Sequence, residues 1–377
     1  MRAIAIVDGE HYPDVVRAAL HELPYEFVGV MLIGGTEKLR GAPDYGVPIV
    51  EDPGEAEVVV DLSDEPVLTP ELRLQLASRF LALGLPYLGA DFRFDPPTFH
   101  PFELPSLAVI GTGKRVGKTA VTGHVARLLA RDRRVVVVAM GRGGPAEPEL
   151  VATPPTVDDL VALSRSGRHA ASDHLETAAL ARVPTVGCRR AGGGMAGAPF
   201  ASNVLEGARL AASLEPDVVV FDGSGAAIPP IATSARILVA HDRSGLNAFR
   251  ALISDLVLTP GEDFTLRLRP LEPLAGRVAV FTTGDAPVGH LDADVVHVSR
   301  NLADRARLRE ELQGVDADVF LIEIKAAAID VVAEAALDRG AECVFAMNDV
   351  RPLEAGVDLD SELLALAEAA TAQPVAG

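Results

Sequence analysis

A glycine-rich turn is the segment of this sequence whose residue types and spacing point most directly to chemistry. An apolar strand pattern, residues 107–110, leads into it, and an apolar helical pattern follows it. Backbone N–H groups in such a turn, together with a helix N-terminus, bind nucleotide phosphates. We expect Lys118 to reach the β- and γ-phosphates and the Thr119 hydroxyl to hold Mg²⁺. The residues predicted to bind the nucleotide are Gly111, Thr112, Gly113, Lys114, Arg115, Val116, Gly117, Lys118, Thr119 and Ala120.

The kind of nucleotide follows from the details of this turn and from what the rest of the chain lacks. The usual G-x4-G-K-S/T spacing puts a glycine at position 112, but the chain has Thr112 there and Gly111 one residue earlier. Val116 stands where a dinucleotide fingerprint needs its third glycine. None of the four asparagines precedes a lysine, as a guanine-reading N-K-x-D segment requires. We therefore predict ATP rather than GTP or NAD; a turn without a ligand is the alternative.

An acid ends a second apolar strand pattern, residues 218–222. This acid, Asp222, is followed by Gly223-Ser224-Gly225. Mg²⁺ in nucleotide sites takes oxygen ligands, and usually only one or two of them are carboxylates. We predict that Thr119 and Asp222 are the metal ligands. The alternative for Asp222 is an acidic turn residue after a buried strand.

Three arginines lie in glycine-rich segments that follow predicted strands. Arg142 stands between glycines, and Arg189 and Arg190 precede the triple glycine 192–194. We expect a strand at Thr185–Gly187 and an irregular loop after it, in which both arginines turn toward one anion. On a chain with a net charge of −19, this pattern favours a polyanion pocket over solvated surface charges.

A histidine and an aspartate lie at a predicted helix start. His169 and Asp173 are four residues apart, so we expect them to share one helix face. There they would orient a substrate phosphate or move a proton. A helix cap with a surface ion pair stays open as the alternative.

The order of strands and helices predicts an α/β protein. Strand and helix patterns alternate along the 377 residues, which is typical of parallel sheets covered on both faces. We predict a smaller, Rossmann-like α/β domain at 1–100 and a P-loop NTPase-type parallel sheet domain at 101–377, which binds nucleotide and substrate. A proline-rich linker at 95–101 separates them. Residues 274–377 either complete the second sheet or form a sub-domain.

Composition excludes several classes of protein. Hydrophobic residues make up 49% of the chain, which indicates a globular protein, and no apolar run approaches the ~20 residues of a membrane span. The charge of −19 argues against nucleic acid as a partner. Cys188 and Cys343 have no metal-ligand spacing. We expect a soluble, cytoplasmic protein with a small-molecule partner; a homodimer is an open possibility.

The motifs together resemble the cyclic 2,3-diphosphoglycerate synthetase family along nearly the whole chain. The phosphate turn alone is also similar to the dethiobiotin synthetase and cobyrinic acid amidotransferase group. Relatives of that kind often have glutamate at the position of Asp222. The segments that carry the resemblance are residues 7–12, 111–119, 140–145, 169–173, 187–194, 222–225 and 323–328.

The resemblance implies an ATP-dependent ligase with ATP and Mg²⁺ as cofactors. Its reaction closes an intramolecular phosphoanhydride in 2,3-bisphosphoglycerate and yields the cyclic product, ADP and phosphate. Arginines would offset the repulsion between the two substrate phosphates. On this interpretation the catalytic residues are Lys114, Lys118 and Asp222. The residues that hold the polyanionic substrate are Arg142, His169, Asp173, Arg189 and Arg190.

The sequence leaves alternatives open for the order of the chemical steps and for the class of substrate. We expect ATP to phosphorylate one substrate phosphate, after which the other phosphate displaces inorganic phosphate; activation of the carboxylate first is the alternative. Another P-loop ligase that acts on a carboxylate or amine is a second reading of the chain. A nucleotide-dependent maturation or binding protein is a third, but the sequence lacks the Cys or His pairs that would bind its cargo.

Overall fold

The computed structural model describes residues 1–39, 41–285, 287–353 and 358–372. The chain divides into two compact units. The first unit consists of Met1–Thr98, Met195–Gly197 and Asp242–Ser254, and the second consists of the described residues in the remainder of the chain.

The first unit contains a five-stranded sheet with the order β2-β1-β3-β4-β5. The first four of these neighbours pair in parallel, and β5 pairs antiparallel with β4. Residues 3–7 are fully buried because helices cover the sheet, as in other open α/β sheets. The strands and helices are β1 (Arg2–Val7), α1 (Pro13–Glu22), β2 (Glu26–Leu32), β3 (Val58–Asp61), α2 (Pro70–Ala82), β4 (Tyr87–Leu88) and β5 (Arg93–Phe94).

The second unit is built on a larger sheet that begins with the strand before the phosphate turn. Its order is β10-β9-β7-β11-β6-β12-β13, with β8 paired to β9. The six strands from β9 to β13 run parallel, and β8 and β10 are antiparallel to β9. Its strands are β6 (Ser106–Gly111), β7 (Val135–Gly141), β8 (Glu149–Val151), β9 (Thr185–Ala191), β10 (Ala201–Ser202), β11 (Val218–Asp222), β12 (Ala235–Val239) and β13 (Leu256–Leu258).

The central strands of this sheet bring the chemistry-bearing turns to one edge. Every residue of β6, β7 and β11 is buried, as expected for parallel strands covered on both faces. The three strands are neighbours and run in the same direction, so the turns that follow them meet at the carboxyl edge. Five helices accompany the sheet in sequence, of which α7 belongs to the first unit. They are α3 (Lys118–Leu129), α4 (Val157–Arg165), α5 (Asp173–Ala181), α6 (Val204–Ala212) and α7 (Asn247–Leu252).

The residues after 263 form a third sheet within the second unit instead of extending the larger one. Its order is β14-β18-β17-β15-β16, and β14 is antiparallel to β18 while the other pairs are parallel. Helix α10 returns to the larger sheet, and its Leu363 and Ala367 join the core around Val109. The elements are β14 (Phe264–Pro270), β15 (Arg277–Phe281), β16 (Asp294–Ser299), α8 (Arg305–Leu312), β17 (Val319–Glu323), a π-helical segment (Ala328–Ala333), α9 (Glu334–Leu337), β18 (Glu342–Pro352) and α10 (Leu359–Ala372).

The predicted α/β class with a P-loop-type parallel sheet is confirmed, but the loop predicted after Gly187 is wrong. Strand β9 continues to Ala191. Beyond Gly187 the strand pairs with β7 and with β10, a short antiparallel strand that the sequence analysis missed. A second missed antiparallel strand, β8, pairs with Thr185–Gly187. Arg189 and Arg190 therefore lie on a regular strand, where successive side chains point to opposite faces.

Gly207 of α6 provides a test of the packing between this helix and β9. A Cβ at this position would overlap the Cys188 Sγ, which is buried. We predict that Gly207→Ala lowers the free energy of unfolding by about 1–3 kcal/mol, despite the better helix propensity of alanine. Urea denaturation measures this change.

The double variant Gly207→Ala/Cys188→Ala is the control for the cause of that loss. Removal of the sulfur makes room for the new methyl group, so we expect the two changes together to cost less than the sum of the single changes. Strict additivity of the two free-energy changes would contradict the packing explanation.

Candidate active site

The phosphate turn has the backbone of an anion-binding loop. Gly117 has φ +91° and is the N-cap of α3, and Arg115 has φ +62°, in the left-handed region that costs a non-glycine residue about 1 kcal/mol or more. At Gly111, an added Cβ would lie 3.0 Å from Val116 Cγ2 and 3.3 Å from the Gly225 carbonyl oxygen. Close packing thus favours glycine at 111.

Thr112 is tied to the neighbouring strand, which accounts for the departure from the usual spacing. Its N–H donates to the Val239 carbonyl at 3.2 Å, and its Oγ1 accepts from the His241 N–H at 3.4 Å. A threonine at 112 therefore anchors the start of the turn to β12. The glycine that the usual pattern places here is replaced by a residue whose side chain takes part in that anchoring.

A buried ion pair lies beneath the turn. Lys118 Nζ donates to Asp222 Oδ1 at 2.5 Å, and Thr122 Oγ1 donates to the same oxygen at 2.7 Å. Asp222 is fully buried, and burial raises the pKa of its carboxyl above the ordinary value, although the Lys118 ammonium opposes this. The pair brings together a residue of the turn that follows β6 and the acid that ends β11, two positions that the sequence predicts separately.

The second carboxylate oxygen of Asp222 is a candidate ligand for the predicted metal ion. Oδ2 is buried and has no hydrogen-bond partner among the described residues. A buried, unpaired carboxylate oxygen is costly unless a ligand satisfies it. Among the described residues there is also no group of three His, Cys, Asp or Glu side chains that could hold a metal. An oxygen-binding cation held by one or two protein oxygens, such as Mg²⁺ with a nucleotide, fits this donor set.

A cavity of about 320 Å³ opens above the turn, within the second unit. Its walls come from the phosphate turn, from α5, from the Ser224–Gly225 turn and from the third sheet. Six cationic side chains and three carboxylates face it. The cations are Lys114, Arg115, Lys118, Arg127, Arg142 and Lys325, and the carboxylates are Asp173, Glu176 and Glu323.

Of the five residues predicted to hold the substrate, Arg142 and Asp173 line this cavity. Arg190 lies close to its wall: Nη2 donates to the Ser224 carbonyl at 2.9 Å and Nη1 to the Gly192 carbonyl at 2.6 Å. Burial, and then the nearby Arg142 charge, lower the pKa of Arg190. The Arg189 side chain is exposed and lies outside the lining. The strand geometry therefore separates the two arginines that we expected to turn toward one anion.

The predicted helix face shared by His169 and Asp173 is wrong. Helix α5 begins at Asp173 with Ser172 as its N-cap, so His169 lies before the helix. The two side chains instead approach different glycines of the Arg142 turn. A Cβ at Gly141 would lie 3.1 Å from Asp173 Oδ2, and one at Gly143 would lie 3.2 Å from His169 Cδ2.

The cavity also contains charged residues to which the sequence analysis gave no role. Glu176 of α5 is buried, and burial raises the pKa of its carboxyl to about 7. Lys325 Nζ lies 3.6 Å from Glu176 Oε1, and this carboxylate raises the pKa of the Lys325 ammonium. Two signals were available for Lys325: it is one of only four lysines in the chain, and it lies in the segment 323–328 that carries the family resemblance. Glu176 gives no such signal in a helix that is otherwise largely apolar.

The parallel sheet, the phosphate turn and the buried Lys118–Asp222 pair define a P-loop nucleotide-binding protein. Three family models match the chain, and each describes a part of cyclic 2,3-diphosphoglycerate synthetase. They are the N-terminal domain at residues 2–95, the P-loop domain at 106–262 and the C-terminal domain at 275–349. The chain belongs to the cyclic 2,3-diphosphoglycerate synthetase family, which confirms the resemblance found in its motifs.

Individual relatives match over nearly their full length. A cyclic 2,3-diphosphoglycerate synthetase of Rubrobacter xylanophilus is 45% identical, with 98% of each chain covered. That of Thermococcus kodakarensis is 41% identical, with 96% of this chain and 98% of the relative covered. That of Pyrococcus abyssi is 38% identical over 97% of this chain and 98% of the relative.

Among solved structures, LpxK from Aquifex aeolicus in complex with ATP matches 80% of this chain and 96% of its own. The TM-score is 0.45 and the sequence identity is 13%, values too low for a comparison of the sites. In the described part of the chain, no helix has the length and apolar character needed to cross a bilayer.

The buried Glu176 predicts a pH-dependent difference in stability. Because its folded pKa is raised from 4.5 to about 7, its contribution to stability is complete below pH 4.5 and is lost as the pH rises through 7. Glu176→Gln cannot ionise, so we expect the variant to gain stability relative to the parent protein between pH 5 and pH 8. The gain is at most about 3 kcal/mol, measured as free energy of unfolding at both pH values.

The matched control is Glu362→Gln, at an exposed position of α10. We expect no comparable growth of the difference with pH there. If Glu176→Gln shows the same free-energy difference from the parent at pH 5 and pH 8, Glu176 does not have a raised pKa.

Proposed function

We propose that this protein is an ATP-dependent synthetase that closes a phosphoanhydride between the two phosphates of 2,3-bisphosphoglycerate. The products are cyclic 2,3-diphosphoglycerate, ADP and inorganic phosphate. Membership of the family supports this reaction. The observation that carries it is a cavity lined both by the phosphate turn and by six cationic residues, on a chain of net charge −19. Such a cavity suits two polyanions that must meet.

ATP would place its triphosphate on residues 111–120. In this position the β- and γ-phosphates compete with Asp222 for the Lys118 ammonium, since both are anionic. Mg²⁺ would neutralise phosphate charge, and the Thr119 hydroxyl and Asp222 Oδ2 are the protein oxygens that would hold it. The unpaired, buried Oδ2 supports that assignment. Mg²⁺, a cytoplasmic location and a homodimer remain predictions.

The substrate would lie beside the nucleotide, toward the Arg142 turn. Arg142 and Asp173 line the cavity, so we propose that Arg142 binds a substrate phosphate and Asp173 orients that arginine or the substrate. Lys114 lines it as well and would neutralise charge on the transferred group. Arg190, through its bond to the Ser224 carbonyl, would fix the turn that follows Asp222.

His169 and Arg189 would have roles farther from the nucleotide. His169 approaches Gly143 and would support the Arg142 turn, whereas the exposed Arg189 would meet the substrate as it enters. Neither residue lines the cavity.

The proposed reaction has two displacements. First, an oxygen of one substrate phosphate attacks the γ-phosphorus of ATP, the bond to ADP breaks, and a terminal diphosphate forms on the substrate. Next, an oxygen of the other substrate phosphate attacks the inner phosphorus of that diphosphate, and inorganic phosphate leaves. A screened pair of unit charges at ~4 Å costs on the order of 1 to 4 kcal/mol, so the cationic walls lower the barrier to closure.

Phosphorus NMR of the purified protein with Mg²⁺-ATP and 2,3-bisphosphoglycerate tests this proposal. We expect a new upfield phosphoanhydride signal that grows together with ADP and inorganic phosphate. ATP turnover without that signal would show that another substrate is joined. No turnover together with no nucleotide binding would overturn the proposal.

The ion pair beneath the turn yields a second test. Lys118→Ala and Asp222→Asn should each reduce kcat by at least about 100-fold, because the first removes the cation at the β- and γ-phosphates and the second removes the carboxylate proposed to hold Mg²⁺. Steady-state assays of ADP formation measure this loss. Lys38→Ala, which changes an exposed lysine paired with Glu10, is the matched control and should keep the parent rate. Retention of full activity by Lys118→Ala would exclude the assigned nucleotide site.

A further inference from the structure

Lys325 stands at the carboxyl end of β17, where parallel strands present ligand-binding groups. Its backbone is held on both sides: its N–H donates to the Glu323 carbonyl at 2.8 Å, and its carbonyl accepts from the Ala328 N–H at 2.9 Å. The next residue, Ala326, has φ +49°, a left-handed conformation that a non-glycine residue adopts at a cost. The chain therefore bends sharply here and directs Lys325 into the cavity that it lines.

Two carboxylates lie near the Lys325 ammonium, and they differ in how they are engaged. Glu323 accepts hydrogen bonds from the Thr283 N–H at 2.8 Å, from Thr283 Oγ1 at 3.1 Å and from Asn348 Nδ2 at 2.6 Å. Glu176 forms the ion pair with Lys325 at 3.6 Å, which is too long for a hydrogen bond. The ammonium thus has a counter-ion but keeps its donors available to a closer partner.

The exposure of the pair is asymmetric. The Lys325 side chain is 36% exposed toward the cavity, whereas the Glu176 side chain is 8% exposed. The ion pair is not needed to attach α5 to the third sheet, because an apolar cluster already attaches it. Leu175 and Ala179 of α5 pack in that cluster with Ile329 and Val332 of the π-helical segment. The lysine thus presents its charge to the cavity rather than to a packed interface.

We propose that Lys325 binds a phosphoryl oxygen of the bisphosphoglycerate, and that Glu176 is a positioning residue that holds the lysine in the cavity until the substrate arrives. This inference rests on the proposed function, because it names a further binding residue for the same substrate. It assigns to the third sheet a direct part in substrate binding.

Because of the charges around Glu176, we expect substrate binding to be coupled to the uptake of a proton. The groups that act on it are Asp173 of its own helix, Asp222 of β11, and Glu323 and Lys325 of the third sheet. Lys118 and Arg142 face the same cavity. When the phosphates of the substrate take over Lys325, Glu176 loses its cation among several negative charges. Because its pKa is already about 7, it then takes up a proton at neutral pH.

The first experiment measures KM for each substrate in Lys325→Ala with the full chain. We expect KM for 2,3-bisphosphoglycerate to rise about 10- to 100-fold, the size of a lost charge-assisted hydrogen bond, while KM for ATP changes less than about twofold. Lys325→Arg should recover part of the loss. Arg165→Ala, which breaks an exposed ion pair between α4 and Asp338, is the matched control and should match the parent protein.

The results separate this inference from the proposed function. If the parent protein makes the cyclic product and Lys325→Ala leaves KM for 2,3-bisphosphoglycerate unchanged, or raises both KM values equally, the inference is wrong and the function stands. If the parent protein makes no product, calorimetric titration with 2,3-bisphosphoglycerate alone decides. Binding that weakens in Lys325→Ala supports the inference, and no binding to the parent protein overturns it together with the function.

The second experiment compares pH profiles of Glu176→Gln and the parent protein. Ionised Glu176 competes for Lys325 above pH 7, so KM for 2,3-bisphosphoglycerate should rise from pH 6 to pH 8 more in the parent than in the variant. We expect the ratio of KM at pH 8 to KM at pH 6 to be about three- to tenfold larger in the parent. Titration of the substrate phosphates is common to both proteins and cancels. Identical profiles would show that Glu176 does not control Lys325.

Discussion

The ion pair between Lys118 and Asp222 is the interaction on which the rest of the site depends. It exists because β6 and β11 are adjacent parallel strands, with Asp222 opposite Val109, so that the P-loop lysine and the acid end at one edge of the sheet. Burial of two charges costs desolvation free energy, and the cost is tolerated when the charges lie close enough to compensate each other. In the proposed function, an arriving triphosphate would offer Lys118 a second anion and free the carboxylate for a cation. The pair thus holds the geometry of the nucleotide site in the absence of nucleotide.

The third sheet packs against the phosphate turn and provides part of the cavity wall. Phe264 and Leu266 of β14 lie next to Gly117, where an added Cβ would be 3.4 Å from the Phe264 ring. Helix α10 returns to the core of the larger sheet, so the third sheet is joined to it at two places. Lys325 and the phosphate turn thus line the same cavity. In the proposed function, cations from both sheets would act on the two substrate phosphates.

The sequence predicted the parts of the site that follow from local rules. Glycine spacing and apolar runs span only a few neighbouring residues. These patterns were therefore sufficient to predict the turn at 111–120, the strand that ends at Asp222 and the parallel sheet. The strand course of Arg189 and Arg190 was missed because it depends on pairing with β7 and β10. Strand β14 was missed although Phe264–Pro270 alternates apolar and polar residues, a pattern that could have revealed it. The ion pair between Glu176 and Lys325 could not be predicted, because the two residues are about 150 positions apart in sequence and only the folded chain brings them together.

We propose that one cavity of the second unit binds both ATP and the bisphosphorylated substrate. A crystal structure of the full chain with Mg²⁺, a non-hydrolysable ATP analogue and 2,3-bisphosphoglycerate tests this most directly. We predict the triphosphate on residues 111–120, with Lys118 moved from Asp222 to the phosphates, and the bisphosphoglycerate in contact with Arg142 and Lys325. A triphosphate on the turn with the bisphosphoglycerate bound outside this cavity would contradict it.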